Sequence, residues 1–224
     1  MSREFTMENE YLKVTVTTWG AQVKSVLRKC DGVEHIWQAD PAVWGYHAPI
    51  LFPHAGKVVD GIIHAKGKDY PSGQHGFARL MEHDFVDQTE DTIVLELCSS
   101  PETLAKFPYE FRLVSTFTLE GDTLHHTLTV ENLDEEALPF GIGYHPAFTV
   151  PFDDKHEATD YELRFSEMES PLCVNCLPTG LVQKDHYWLG ANINAIAVNE
   201  QLFENDSHCM VNLRSRTLDR KSVV

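Results

Sequence analysis

Long apolar runs are missing from this sequence. No stretch approaches the roughly 18 consecutive hydrophobic residues that a membrane-spanning helix requires. The first residues, Met1-Ser2-Arg3-Glu4-Phe5, have no apolar core of the kind a secretory signal carries, so a cytosolic location is expected. Basic residues are also scarce: 18 lysines and arginines stand against 34 aspartates and glutamates, for a formal net charge of -16. A surface that reads phosphodiester backbones or anionic lipid needs the opposite field, so neither nucleic acid nor a membrane is expected as a partner. A neutral or locally phosphorylated small molecule is compatible with this charge. The five cysteines, Cys30, Cys98, Cys173, Cys176 and Cys209, are odd in number and scattered, which makes a poor disulfide framework. Only Cys173-Val174-Asn175-Cys176 has the spacing of a metal or redox pair, and a structural zinc site needs two further ligands at comparable spacing. Helical periodicity is scarce as well.

Period-two alternation is abundant. Leu12, Val14 and Val16 alternate with Lys13, Thr15 and Thr17, the pattern of a half-buried strand. Phe111, Leu113, Ser115, Phe117 and Leu119 alternate with Arg112, Val114, Thr116 and Thr118, and Leu124, His126, Leu128 and Val130 follow after Glu120-Gly121-Asp122. This predicts a β-hairpin around a three-residue turn containing glycine. Further strands are expected over 22–27, 92–97, 161–165 and 210–216, separated by Gly, Pro and Asp/Asn punctuation. Many short antiparallel strands must cover their apolar faces with a second sheet, so an all-β antiparallel sandwich is expected. No repeat or linker-like stretch divides the chain, and 224 residues lie within the range of one all-β unit, so a single domain over 1–224 is expected.

Three segments break the strand rhythm: Pro49-Ile50-Leu51-Phe52-Pro53-His54-Ala55-Gly56-Lys57, Gln74-His75-Gly76-Phe77-Ala78-Arg79 and Gly141-Ile142-Gly143-Tyr144-His145-Pro146-Ala147-Phe148. Glycine lets a backbone approach a ligand closely, aromatic rings offer faces to sugar C–H surfaces, and histidine exchanges protons near neutral pH. His75 and His145, each in a turn flanked by glycine and aromatic residues, are the candidate chemical groups. His35, His64, His83, His125 and His156 have no such surroundings and read as structural or surface histidines. His54, bounded by proline, has a structural reading beside the functional one.

His-Gly-Phe-Ala-Arg followed by Gly-Tyr-His-Pro-Ala-Phe resembles the two histidine motifs of the galactose mutarotase-like superfamily. Glu8-Asn9-Glu10-Tyr11-Leu12, Thr18-Trp19-Gly20-Ala21, Ile36-Trp37-Gln38-Ala39-Asp40-Pro41 and Pro49-Ile50-Leu51-Phe52-Pro53 resemble the LacX-like branch of the aldose 1-epimerases, which is similar to the hexose-6-phosphate epimerases. The resemblance runs nearly end to end. It implies the family's large β-sandwich and the interconversion of the α and β anomers of an aldose or aldose phosphate. A general acid protonates the ring oxygen while a general base takes the proton of the anomeric hydroxyl, and the open aldehyde rotates and recloses. By resemblance the acid is His145, and His75 assists by hydrogen bonding at the ring oxygen. Asp206 resembles the family's sugar-binding aspartate, the natural acceptor for two vicinal hydroxyls, against the alternative that Asn205-Asp206 makes a turn. Arg79 and Lys57 are further substrate-binding candidates, although many members carry Arg where Lys57 stands, and lysine lacks the planar fork that grips a phosphate. Proton transfer at a hemiacetal demands no metal or organic cofactor.

The family's general base is a glutamate in a C-terminal motif resembling Glu-Pro-Trp, and nothing like it follows Asp206. Residues 211–217 read as a strand, 218–221 as a turn and 222–224 as the start of another strand, so a sandwich incomplete at its C-terminus is expected. Glu200 and Glu204 are nearby acids that no motif places in the missing role. Weak turnover is the consequence expected, and unpaired strand edges predict dimerisation or domain swapping. Two other classes stay open: a carbohydrate-binding module on the same scaffold that does no chemistry, and a cysteine/histidine metal protein.

Overall fold

The computed structural model describes residues 2–176, 178–203, 209–211, 213 and 214. They divide into two compact units, 1–149 and 150–224. In the first unit, β1 (Glu4–Glu8), β2 (Leu12–Thr17), β3 (Gln22–Arg28) and β4 (Val33–Glu34) form an antiparallel sheet in that order. β5 (Ile50–Leu51) and a hairpin of β6 (Ile62–Ala65) and β7 (Lys68–Pro71) follow. β8 (Asp84–Gln88), β9 (Thr92–Cys98), β10 (Phe111–Glu120) and β11 (Thr123–Asn132) build a second antiparallel sheet in reverse order of the chain. β12 (Gly143–Tyr144) returns to pair with β5.

The alternation read in the sequence is the alternation of burial. Leu12, Val14 and Val16 are buried while Lys13 is exposed, and all five odd-numbered residues from Phe111 to Leu119 are buried. Val14, Val16 and Val23 of the first sheet and Ile93, Leu95, Phe111, Leu113 and Phe117 of the second belong to one continuous core. Two antiparallel sheets closing over one apolar layer make the all-β sandwich that the pattern predicts. Phe52, fully buried, lies within 6.2 Å of the rings of Phe77, Phe107, Phe111 and Phe140. Burying a ring of this size contributes about 1.5–3 kcal/mol, so the segment that carries it is firmly seated.

The β10–β11 turn corrects the sequence expectation. Glu120 pairs with Thr123, which leaves two turn residues, Gly121 and Asp122, rather than three. Gly121 has φ +57°, and Asp122 is not among the residues with positive φ, the pattern of a type II′ turn that matches the twist of the flanking strands.

In the second unit, β13 (Glu162–Glu169) and β16 (Ile193–Ala197) pair, while β14 (Leu172–Val174) lies between β15 (His186–Trp188) and β17 (Cys209–Val211). Phe165, Cys173, Ile196, Leu202, Met210 and Leu213 form its own buried core. Of the strand expected over 210–216, residues 210 and 211 are in β17, and residues 215 and 216 lie outside the described residues. No helix among the described residues is long and apolar enough to cross a membrane.

Candidate functional site

Both motif histidines flank one segment, residues 47–53, with β5 at its centre. On one side, β12 pairs with β5 (Gly143 with Leu51, Tyr144 with Ile50), and the pairing runs on as the main-chain N–H of His145 donates to Pro49 O (2.9 Å) and that of Ala147 to His47 O (2.9 Å). Trp37 N–H donates to Ala147 O and Thr149 N–H to His35 O on the outer edge, so residues 143–149 are held from both sides. Strand alternation then decides which way each side chain points. Tyr144 is exposed and sends its hydroxyl to His126 O (2.6 Å), and the half-buried His145 takes the opposite face.

On the other side, Phe52 forms a parallel bridge with Gly76, and its carbonyl accepts from both Phe77 N–H (3.0 Å) and Ala78 N–H (3.2 Å). The approach is so close that a Cβ on Gly76 would lie 2.2 Å from Phe52 O, and Gly76 also has φ +69°. Only glycine meets both demands. His75, immediately before it, is itself held at φ +65°, a left-handed conformation uncommon for a residue with a side chain. The packing around Gly76 thus determines where His75 points.

The two imidazoles meet edge to face with ring centroids 5.6 Å apart. Trp44 lies 5.1 Å from the His145 ring and 5.5 Å from the Tyr46 ring, and the Arg79 guanidinium sits over Tyr46 at 5.0 Å. A further bond fixes the chemistry of His75: Gly56 N–H donates to its Nδ1 (2.9 Å), while His75 N–H donates to Gly56 O (2.8 Å). A neutral imidazole that accepts at Nδ1 carries its proton on Nε2, so His75 presents an N–H donor. The Gln74 side-chain amide nitrogen stands 3.2 Å from that Nε2. Since Nε2 donates, the amide satisfies it only with its oxygen turned inward.

Electrostatics keep this cluster neutral. Burial, reinforced by the neighbouring charges of His145, Arg79 and His54, pushes His75 down to about 4. Burial and Arg79 likewise lower His145, against the opposing pull of its own backbone hydrogen bond. Among the described residues, none of the groups acting on either ring is a carboxylate. Among the described residues, Arg79 Nε is buried without a hydrogen-bond partner. Arg79 is tied by Nη2 to Gln74 O (3.2 Å).

The structure therefore gathers His75, His145 and Arg79. Lys57 is exposed, one residue past Gly56, and takes no part in the ring contacts given above. Asp206 and Glu204 lie outside the described residues. His54 pairs through Nε2 with Ser72 Oγ (2.7 Å), and burial lowers its pKa. Trp44, Tyr46, Gln74 and Gly56 were not singled out by the sequence, although Trp44-Gly45-Tyr46 shortly before Pro49 is the same aromatic and glycine composition that marked the three loops. Among the described residues, no group of three or more His, Cys, Asp or Glu side chains is arranged to hold a metal ion.

A two-sheet antiparallel sandwich with paired imidazoles walled by aromatic rings and an arginine defines a class of small-molecule site. A model of the aldose 1-epimerase family matches residues 3–206, and the chain belongs to that family. It is 34% identical to the chromosomal protein LacX of Lactococcus lactis subsp. lactis, over 96% of this chain and 75% of that protein. Among solved structures, a galactose mutarotase related enzyme from Lactobacillus acidophilus superposes with a TM-score of 0.89 at 29% identity, covering 94% of this chain and 70% of that one. A galactose mutarotase-like protein from Lactobacillus casei gives 0.86 at 31% identity, covering 94% and 72%.

Proposed function

We propose that this chain binds an aldose or aldose phosphate at His75, His145 and Arg79 and interconverts its α and β anomers by acid/base ring opening. The reading rests on the 5.6 Å edge-to-face pair of imidazoles, one of which has its donor nitrogen fixed. His75, kept neutral, offers Nε2–H to the ring oxygen at no cost in charge. His145 delivers the proton that opens the ring, and the proton of the anomeric hydroxyl leaves to water. Arg79 donates to a hydroxyl or phosphate oxygen while the rings of Trp44 and Tyr46 cover the sugar's C–H face. Asp206 and Lys57 are proposed as further substrate contacts, the first as acceptor and the second as donor. A cytosolic setting goes with this reading.

A second reading is favoured by one observation. Both imidazoles are driven toward their neutral forms, and no carboxylate among the described residues acts on them. Neutral imidazoles bind hydroxyls well and supply protons poorly, as in a sugar-binding protein with little or no turnover.

Anomer exchange followed by NMR on glucose, galactose and their 6-phosphates separates the two. Accelerated exchange that falls about 10²–10⁴-fold in His145→Asn supports the epimerase. Saturable binding with no acceleration selects the binding protein, and no saturation by any of these sugars would sink both.

A further inference from the structure

The cysteine pair noted in the sequence is not absorbed by the sugar site, and in the second unit it acquires a third member. Cys209 opens β17 opposite Val174 of β14, two residues from Cys176. Cys176 lies near enough to Cys209 to raise its thiol. Cys176 also directs its thiol at Val174 O (3.9 Å). The third thiol, Cys173, is fully buried opposite Tyr187 on the neighbouring strand and shares a hydrogen bond with that side chain. Cys176 and Cys209 are half-buried, so reagents reach them, whereas Cys173 faces the core. The other two cysteines, Cys30 and Cys98, are exposed and lie in the first unit.

We infer that Cys176 and Cys209 are a reversible dithiol/disulfide site that fastens β17 to the segment following β14. The β14–β17 pairing sets Cys209 opposite Val174, beside the segment that carries Cys176, and an approach of the two thiols to a bond of about 2.05 Å closes the disulfide. The oxidant is a peroxide. The Cys176 thiolate attacks one peroxide oxygen, the O–O bond breaks, and Cys176 becomes a sulfenic acid with release of hydroxide. Cys209 sulfur then attacks the Cys176 sulfur, the S–O bond breaks, and the second hydroxide leaves as water with the Cys209 proton. Two thiols give up two electrons and two protons, and the peroxide becomes two waters. The order follows from the surroundings: burial, followed by the Cys176 contact, raises the Cys209 thiol, and burial raises that of Cys173, so both are held protonated when Cys176 reacts.

The test treats the full reduced chain with hydrogen peroxide, blocks remaining thiols with an alkylating reagent and maps the peptides by mass. The expected result is one cross-linked peptide pair containing Cys176 and Cys209, loss of two alkylatable thiols per chain, and recovery of both with dithiothreitol. Cys173 should become alkylated only after denaturation. In Cys209→Ser, Cys176 should be trapped by dimedone as a sulfenic acid. A cross-link from Cys176 to Cys173, or free thiols at both Cys176 and Cys209 under conditions that oxidise Cys30 and Cys98, overturns the inference. Mapping the unmodified chain decides this without relying on any variant to fold.

Discussion

Gly56 N–H donates to Nδ1 of His75 at 2.9 Å, and the reciprocal bond from His75 N–H to Gly56 O closes the pair. This bond assigns the proton of the neutral ring to Nε2. The expected outcome in ¹⁵N-detected NMR is a His75 ring with a pyridine-type Nδ1 and a protonated Nε2 throughout the neutral range. The ring should become doubly protonated only near pH 4, where burial and the neighbouring cations place it. An Nδ1–H tautomer, or titration near 6.5, would contradict the geometry.

Gly76 and Gly121 both have positive φ, at +69° and +57°, yet differ in their surroundings. An added Cβ at 76 would stand 2.2 Å from Phe52 O and 2.7 Å from the Pro53 ring, whereas at 121 it meets nothing within 4 Å. Gly121→Ala should cost about 1 kcal/mol, the conformational penalty alone. Gly76→Ala should cost about 3 kcal/mol or more, because backbone must move beside Phe52, a fully buried ring of the core. Urea unfolding of the two variants measures the difference, and equal costs would show that the clash is relieved without loss.

Much of this was legible in the sequence, for a physical reason. Strand alternation is written one residue at a time, so the burial of Phe111, Leu113, Phe117 and Leu119 follows from period two alone. The two histidines were legible because their turns need glycine locally. Trp44 and Tyr46 were not, because they reach the site through contacts distant in sequence: Trp44 through the ring of His145 (5.1 Å), and Tyr46 through the guanidinium of Arg79 (5.0 Å). The length of the β10–β11 turn was missed because Glu120 and Asp122 look alike as turn residues, and only the Glu120–Thr123 pairing tells them apart.

The pH profile of anomer exchange tests the division of labour between the imidazoles. His75 must be neutral for its Nδ1 to accept from Gly56 N–H and so keep Nε2–H aimed at the ring oxygen, and His145 must be protonated to act as acid. His75 stays neutral down to about pH 4, and His145 is lowered from its ordinary 6.5. The expected kcat/KM is a bell, with its acid limb near 4 and its alkaline limb below 6.5. A rate that climbs from pH 6 to 8 would exclude His145 as the acid.

A buried and a half-buried histidine outside the site make the fold sensitive to acid. Among the described residues, His83 is held by Ala78 O at Nε2 (3.1 Å) with an unpartnered Nδ1, while the half-buried His126 stacks on Phe117 at 4.1 Å with an unpartnered Nε2. Burial lowers the first to about 4, and burial together with His83 lowers the second to about 3. Both folded values lie below the unfolded 6.5, so on acidification the unfolded chain takes up protons first. Stability present above pH 6.5 is therefore lost as pH falls toward 4 and 3. Each histidine should remove more than about 1 kcal/mol per pH unit in that range. Asp134, held down to about 2 chiefly by Lys66, adds its loss only at lower pH. Unfolding free energies at pH 7, 6 and 5 measure the slope, and a flat line would show that both rings find partners when protonated.

Arg79 acts on both imidazoles at once, and its charge and its shape make separable predictions. Its charge lowers His75 and His145, so Arg79→Met should raise the pH at which each ring titrates. Arg79→Lys keeps the charge and should leave those titrations low. Lysine cannot reproduce the planar guanidinium that lies 5.0 Å over Tyr46 while reaching Gln74 O. Sugar affinity should therefore fall in both variants, about 10-fold or more, with the histidine titrations moving only in Arg79→Met. NMR titration and calorimetry on the same samples make the comparison. If Arg79→Lys binds sugar as the parent chain does, charge alone is what the site requires of this residue.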